Sequence, residues 1–267
     1  MSETPDIAGL NTSRRYNEWV GGKDHTAVER ESTRTVLTVL PNMIDAAREG
    51  RSVIMRAVAH LVADRGIRQI LDIGAGQPLS PNVHEVAQRI DPACRVVYVD
   101  NDPIVAVHHR GTVMSTPQGR ADFQPGDLLD AEKILTGDVV TGTLDLNRPV
   151  AVLLASVLHL VEDDEQAYES VRRLRQSLAP GSYMVIVHGT FDTLPEQTRR
   201  QVTEMLATGK HGTYRARSRP EVVRLLEDLE IEDPGVVSSV EWRPDPGHPP
   251  KTSVADAMCY AAVARIT

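Results

Sequence analysis

Four short runs of apolar, mostly branched residues mark the first two thirds of the chain: RQILDI (68–73), RVVYVD (95–100), VAVLLAS (150–156) and SYMVIVH (182–188). Each has the length of a strand and little polar alternation, the pattern of strands covered on both faces of a parallel sheet. Between them lie segments with apolar positions at helical spacing: NVHEVAQRI (82–90), PIVAVHHRGTV (103–113) and DEQAYESVRRLRQSL (164–178), the last stopped by Pro180-Gly181. Strand and helix in alternation predict right-handed crossovers and an open α/β sheet. Upstream, residues 13–48 read as helical with breaks at Gly21-Gly22 and Pro41, and RSVIMRAVAHLVAD (51–64) reads as an amphipathic helix. Residues 1 to about 12 read as disordered. Downstream, PEQTRRQVTEMLAT (195–208) and RPEVVRLLEDL (219–229) read as helices. GVVSSVEW (235–242) and MCYAAVARI (258–266) read as two strands joined through the loop WRPDPGHPP, closing the sheet edge as a hairpin.

Composition narrows the partners. The 267 residues are 41% hydrophobic and 25% charged, as in an ordinary globular protein, and the net charge is −8. An acidic surface repels phosphate backbones, and with only 4% aromatic residues there is little to stack bases on, so nucleic acid is not expected as a partner. The arginine pairs 14–15, 172–173 and 199–200 read as solvated helix faces. Cys94 and Cys259 lie far apart in apolar surroundings, which fits buried thiols in a reducing cytoplasm rather than a metal site. No signal peptide or membrane-spanning run is evident, so a cytoplasmic protein without a membrane partner is expected. The oligomeric state is not legible.

The chemistry gathers where the first strand ends, at Leu71-Asp72-Ile73-Gly74-Ala75-Gly76. In an open α/β sheet ligands bind at the carboxyl ends of strands, and glycines there allow a tight turn and close approach of backbone. A dinucleotide fingerprint would have a third glycine where Leu79 stands, and Asp72 would face the pyrophosphate, so NAD and FAD fit poorly. A P-loop is excluded, because no Gly-Lys-Ser/Thr follows. A cationic ligand reverses the sign of the objection. S-adenosylmethionine (SAM) carries an ammonium and a sulfonium, and the sequence supplies further acids in order: Asp100 closing the second strand for ribose hydroxyls, and Asp127 in FQPGDLLD for an adenine amino group.

LDIGAG, VVYVD and GDLL together resemble the class I SAM-dependent methyltransferases. RRYNEWVGGKDHTAVERE (14–31), HEVAQRIDPACRVVYVDNDPIV (84–105), LLASVLHLVEDD (153–164) and LAPGSYMVIVH (178–188) resemble one bacterial family of S-adenosyl methyltransferases whose substrates are largely unknown. The resemblance implies a Rossmann-like, seven-stranded, mostly parallel α/β sheet. It implies an N-terminal helical cap (1–50) on a methyltransferase core (51–267) with a helical insertion at about 190–230. It implies that Asp72, Gly74 and Gly76, with Ala75, meet the methionine end of SAM. Asp100 would hold the ribose, and Asn101, Asp127 and Leu128 would border the adenine. Tyr16 and the segment Gly21-Gly22-Lys23-Asp24 would form a lid. Pro78, where many relatives have a third glycine, leaves the loop's path open.

The fourth strand should border the acceptor. Ser156 ends it as a SAM contact, and His159 beyond it and His188 at the end of the fifth strand are candidate proton acceptors. Tyr214 and Arg217 are candidate substrate contacts, the arginine for a carboxylate. Glu162-Asp163-Asp164 reads as the acidic start of a helix rather than a metal site. The expected activity is methyl transfer to a small molecule, plausible in natural-product metabolism, with S-adenosylhomocysteine as product. The alternatives are a SAM-binding regulatory domain and an enzyme that cleaves or cyclises SAM.

Overall fold

A computed structural model describes residues 9–267 of the chain. Helices α1 (Thr12–Trp19), α2 (Ala27–Val39) and α3 (Met43–Ala63) precede the sheet, and helix and strand then alternate: β1 (Gln69–Ile73), α4 (Val83–Ile90), β2 (Arg95–Asp100), α5 (Pro103–Thr112), β3 (Arg120–Pro125), α6 (Ala131–Thr136), α7 (Asp138–Thr143), β4 (Ala151–Ala155), α8 (Asp164–Gln176) and β5 (Tyr183–Gly189). Helices α9 (Glu196–Ala207) and α10 (Arg219–Leu225) follow, then β6 (Glu230–Ile231), β7 (Val237–Ser238), α11 (Val254–Ala257) and β8 (Cys259–Arg265). The sheet order is β3-β2-β1-β4-β5-β8-β6, with β7 also pairing with β8. Strands β1 to β5 are parallel, and β8 runs antiparallel to its neighbours. This is the expected open α/β architecture, with eight strands rather than seven.

Local chemistry sets the element ends. Thr26 with Glu29 and Asn82 with Glu85 form capping boxes at α2 and α4, and Asp102 caps α5 ahead of Pro103. Strands β1 and β5 are buried at every position, as continuous apolar runs require. One apolar layer fills each face of the sheet, built around Leu71, Val97, Leu154 and Ile186 on one side and Ile70, Val96, Leu153 and Val185 on the other. A third cluster joins Trp19, Val36, Leu40, Ala46 and Ala47 of the N-terminal helices to Val202 of α9.

Several expectations are corrected. Strand β3 has the sequence RADFQP, half polar and with only Phe123 and Gln124 buried, so it lacks the apolar run that marks the other parallel strands. Of residues 235–242 only two form a strand, and β8 lies inside the sheet between β5 and β6 rather than at its edge. Helix α3 runs unbroken across residue 50, where a boundary between cap and core was expected. Asn11 caps α1, so order begins before residue 12; residues 1–8 of the segment expected to be disordered lie outside the described residues. Both cysteines are buried and free. No helix among the described residues is long and apolar enough to cross a membrane.

Candidate functional site

Strand order reverses between β1 and β4, so the loops leaving these strands part in opposite directions and open a crevice at their carboxyl ends. A cavity of about 590 Å³ occupies that crevice beneath α1. Its floor is the glycine loop. Gly74 and Gly76 have φ of +76° and +65°, a region that L side chains rarely adopt, and a Cβ on Gly74 would come within 2.5 Å of Val157. The amides of Gly74 and Ala75 donate to the Val99 carbonyl at 2.8 and 3.1 Å, and that of Gly76 donates to Asp100 Oδ2 at 2.9 Å. Behind the loop, His109 Nε2 donates to the Gly76 carbonyl at 2.9 Å, and burial pulls this histidine's pKa down to about 4, so the ring is neutral. Beyond Pro78 the path is fixed without a third glycine. The Leu79 amide donates to Asn82 Oδ1 at 2.9 Å, and the Arg51 guanidinium donates to the carbonyls of Leu79 and Pro81.

Acids line the same end of the cavity. Asp72 is 7% exposed, and its carboxylate accepts no hydrogen bond from the described residues. Burial pushes its pKa up to about 7, a rise that Arg51 opposes and Asp100 adds to. Asp100 is likewise raised by burial, although the amides of Asp102 and Gly76 each donate to it. Asn101 Nδ2 donates to Asp127 Oδ2 at 2.9 Å, which ties the ends of β2 and β3 together at the rim. Asn11 of the cap donates to Asp102 at 2.6 Å, fastening α1 over this rim.

The opposite end is aromatic. Ser156, just past β4, is held at φ +59° with its amide donating to the Val187 carbonyl at 2.8 Å, a strained conformation of a kind that gathers at functional sites. Beyond it His159 packs on Tyr214 with ring centroids 4.6 Å apart, and Tyr214 stacks on Phe191 at 5.6 Å. Tyr16 and Trp19 of α1 face the same space. Burial pushes the Tyr16 hydroxyl up to about 12 and that of Tyr214 well up, so both stay protonated. Gly189 makes room for this arrangement, because a Cβ there would coincide with the Tyr214 hydroxyl.

Of the residues singled out in the sequence, Tyr16, Asp72, Gly74, Ala75, Gly76, Asp100, Asn101, Asp127, Leu128, Ser156, His159 and Tyr214 all line this one cavity. Gly22, Lys23, His188 and Arg217 do not. Gly22 and Lys23 belong to a turn built on Asn17, which accepts from the Gly22 amide through its carbonyl and from the Asp24 amide through its side chain; Lys23 is exposed. His188 is fully buried. Its Nδ1 donates to the Gly189 carbonyl at 2.8 Å and its Nε2 faces Arg217 Nη1 at 3.1 Å, which fixes a neutral tautomer; burial lowers its pKa to about 4. Arg217 is also fully buried and donates to the carbonyls of Leu158 and Val161 as well as to Asp164. It ties the segment after β4 to the end of β5 instead of reaching for a substrate carboxylate.

Arg15, Trp19 and Arg51 are among the further lining residues that the sequence did not mark as part of a site. The pairs 172–173 and 199–200 are the surface arginines they were read as, bound to Glu169 and Glu196. Arg14 and Arg15 are not, at 4% and 6% exposure. Their neighbours in the sequence are polar, so only the docking of α1 reveals that its inner face carries arginines.

The family model described as S-adenosyl methyltransferase matches residues 2–267. A DUF574 family protein from Streptomyces avermitilis is 38% identical, with a TM-score of 0.92 over 98% of this chain and 99% of that one. A protein from Thermobifida fusca is 32% identical, with a TM-score of 0.88 over 98% and 97% of the two chains. An O-methyltransferase family protein from Burkholderia thailandensis, at 17% identity and a TM-score of 0.53 over 85% of this chain and 59% of that one, is similar in fold. None of the curated proteins matches the sequence.

Proposed function

The chain belongs to the S-adenosyl methyltransferase family, and on that premise we propose that it transfers a methyl group from SAM to a small-molecule acceptor, in natural-product metabolism. The observation that carries this reading is that one cavity joins an acidic end to an aromatic end under the cap. A buried carboxylate without a hydrogen-bond donor, Asp72, fits an ammonium, and the guanidinium of Arg51 beside it fits the carboxylate of the same amino-acid group. Asp100 fits the ribose, and the Asn101–Asp127 pair fits the adenine edge. Bound there, SAM supplies a methyl carbon on a positively charged sulfur, and transfer leaves the S–C electron pair on S-adenosylhomocysteine while an acceptor lone pair forms the new bond. The roof formed by α1 covers the crevice, and orientation of a small acceptor held beneath it supplies up to roughly 7–11 kcal/mol of a displacement barrier.

His159 serves in this reading as a positioning group. The Gly189 amide faces its Nδ1 at 3.5 Å, which leaves the proton on Nε2, and burial with His188 and Arg217 nearby holds its pKa well below the usual range. A weakly basic nitrogen turned to the strand makes a poor proton acceptor. His159→Ala is therefore expected to slow turnover only about tenfold, against the roughly 10²–10⁴-fold cost of losing a general base, with affinity for S-adenosylhomocysteine unchanged. A drop beyond a thousandfold, with a histidine-like limb lost from the pH profile, would make it the base instead. Calorimetric titration tests the cofactor end directly: SAM and S-adenosylhomocysteine bind in the micromolar range and NAD does not. Absence of binding by both SAM compounds would remove the reading.

A further inference from the structure

The cap end of the cavity holds a charge that the surrounding residues leave uncompensated. Arg15 on α1 is 6% exposed, and no carboxylate of the described residues lies within ion-pair distance of it. Glu29, whose charge acts on Arg15, is engaged elsewhere: Arg14 Nε lies 3.3 Å from it, and the Thr26 amide and hydroxyl and the Asn11 amide donate to it. Burial lowers the Arg15 pKa to about 10, so the side chain remains a cation at neutral pH. It is anchored on one side only: Nη1 donates to Ser32 Oγ at 2.9 Å and to the His211 carbonyl at 2.7 Å. Nε is buried without a partner, and Nη2 donates to no described residue. Nε and Nη2 form the edge of a guanidinium that takes a carboxylate through two parallel hydrogen bonds.

The surroundings specify the rest of the ligand. Arg15 lies 5.0 Å from the Trp19 ring and lines the cavity together with Tyr16, His159 and Tyr214. Arg15, Trp19 and Tyr214 also border a small adjoining pocket of about 30 Å³ walled by Phe191, Met205 and Leu206. One unpaired cation among aromatic rings, with neutral histidines beside it, balances a single negative charge; a phosphate dianion would need a second cation. Arg51, whose charge acts on Asp72, stands at the other end of the site for the amino-acid group of the cofactor.

We propose that Arg15 anchors the acceptor and that the acceptor is a small aromatic carboxylic acid, its carboxylate paired with the guanidinium and its ring seated among Trp19, Tyr214 and His159. This rests on the reading that the cap end of the cavity receives the acceptor. The test uses the full chain saturated with S-adenosylhomocysteine, titrated with benzoate, 4-hydroxybenzoate and 4-hydroxycinnamate, each beside its primary amide. At least one acid binds about tenfold or more tightly than its amide, as expected for a charge-assisted hydrogen-bonded pair. Arg15→Gln erases that preference, Arg15→Lys restores part of it, and both keep the affinity for S-adenosylhomocysteine. No binding by any acid, or equal binding of acid and amide, overturns the proposal. So does loss of S-adenosylhomocysteine affinity in a folded Arg15→Gln protein, which would assign the arginine to the cofactor. If that variant does not fold, the acid-against-amide comparison on the wild type decides by itself. Failure of S-adenosylhomocysteine to bind the wild type strikes the cofactor reading instead, and the proposal with it.

Discussion

SAM affinity is expected to peak between about pH 7 and 8 and to fall roughly fivefold from that peak to pH 6. The cause is Asp72, whose pKa burial has raised to about 7. The sign follows from which form binds. An ammonium pairs with the carboxylate, so protein in which Asp72 is protonated must first lose that proton, and affinity declines by up to about tenfold per unit once the pH is below the free-state pKa. Binding at pH 6 then releases close to one proton, read as a difference in apparent enthalpy between buffers of different ionisation enthalpy. Above about pH 8 the ammonium of the ligand itself titrates and affinity falls again. Asp72→Asn removes the acid limb and weakens binding at pH 8 by about 10- to 150-fold, the equivalent of about 1.5–3 kcal/mol for a hydrogen bond to a charged group. A flat profile between pH 6 and 8 in the wild type would show that Asp72 does not face the ammonium.

Asp100→Ala should cost at least as much. The carboxylate accepts from the amides of Gly76 and Asp102, holding the glycine loop against α5, and in the proposed site its remaining lone pairs would go to the ribose, so the substitution removes both. A loss of roughly a hundredfold or more in S-adenosylhomocysteine affinity is expected, since a charged partner is removed and two part-buried amides lose an acceptor. Melting temperature separates the tasks. A variant that keeps the wild-type melting temperature and binds within threefold of the wild type would remove Asp100 from the nucleotide site.

The sequence made the middle of the sheet legible because β1, β2, β4 and β5 are buried on both faces and so are written as uninterrupted apolar runs. The outer strand β3 pairs on one side only and keeps polar residues, and its pattern could not be told from a loop. Asp72 and Asp100 were legible for a related reason: they stand at the ends of β1 and β2, so their places follow from the alternation, whereas Asp127 lies in the loop after β3. The arginines that line the cavity were not legible. Arg15 and Arg51 sit on helices whose rotation about their own axes depends on docking, and a polar helix such as α1 gives no apolar stripe from which to read its inner face. Arg217 and His188 invited functional roles because arginine and histidine near a strand end can touch substrate. Instead their partners are the carbonyls of the segment joining β4 to α8 and of Gly189. The Gly21-Gly22 turn owes its shape to Asn17, since any Cβ at 22 would strike that side chain.

Helix α3 has one end in each half of the molecule. Ala46 and Ala47 pack with α2 and α9, while Val53, Ala57, Val58 and Leu61 lie under the sheet, and Arg51 between them grips the far end of the glycine loop. The roof therefore cannot be traded between relatives as a module cut at residue 50, because half of its own support would stay behind in the core. A workable junction for chimeras lies at Leu40-Pro41-Asn42, where α2 has ended and α3 has not begun.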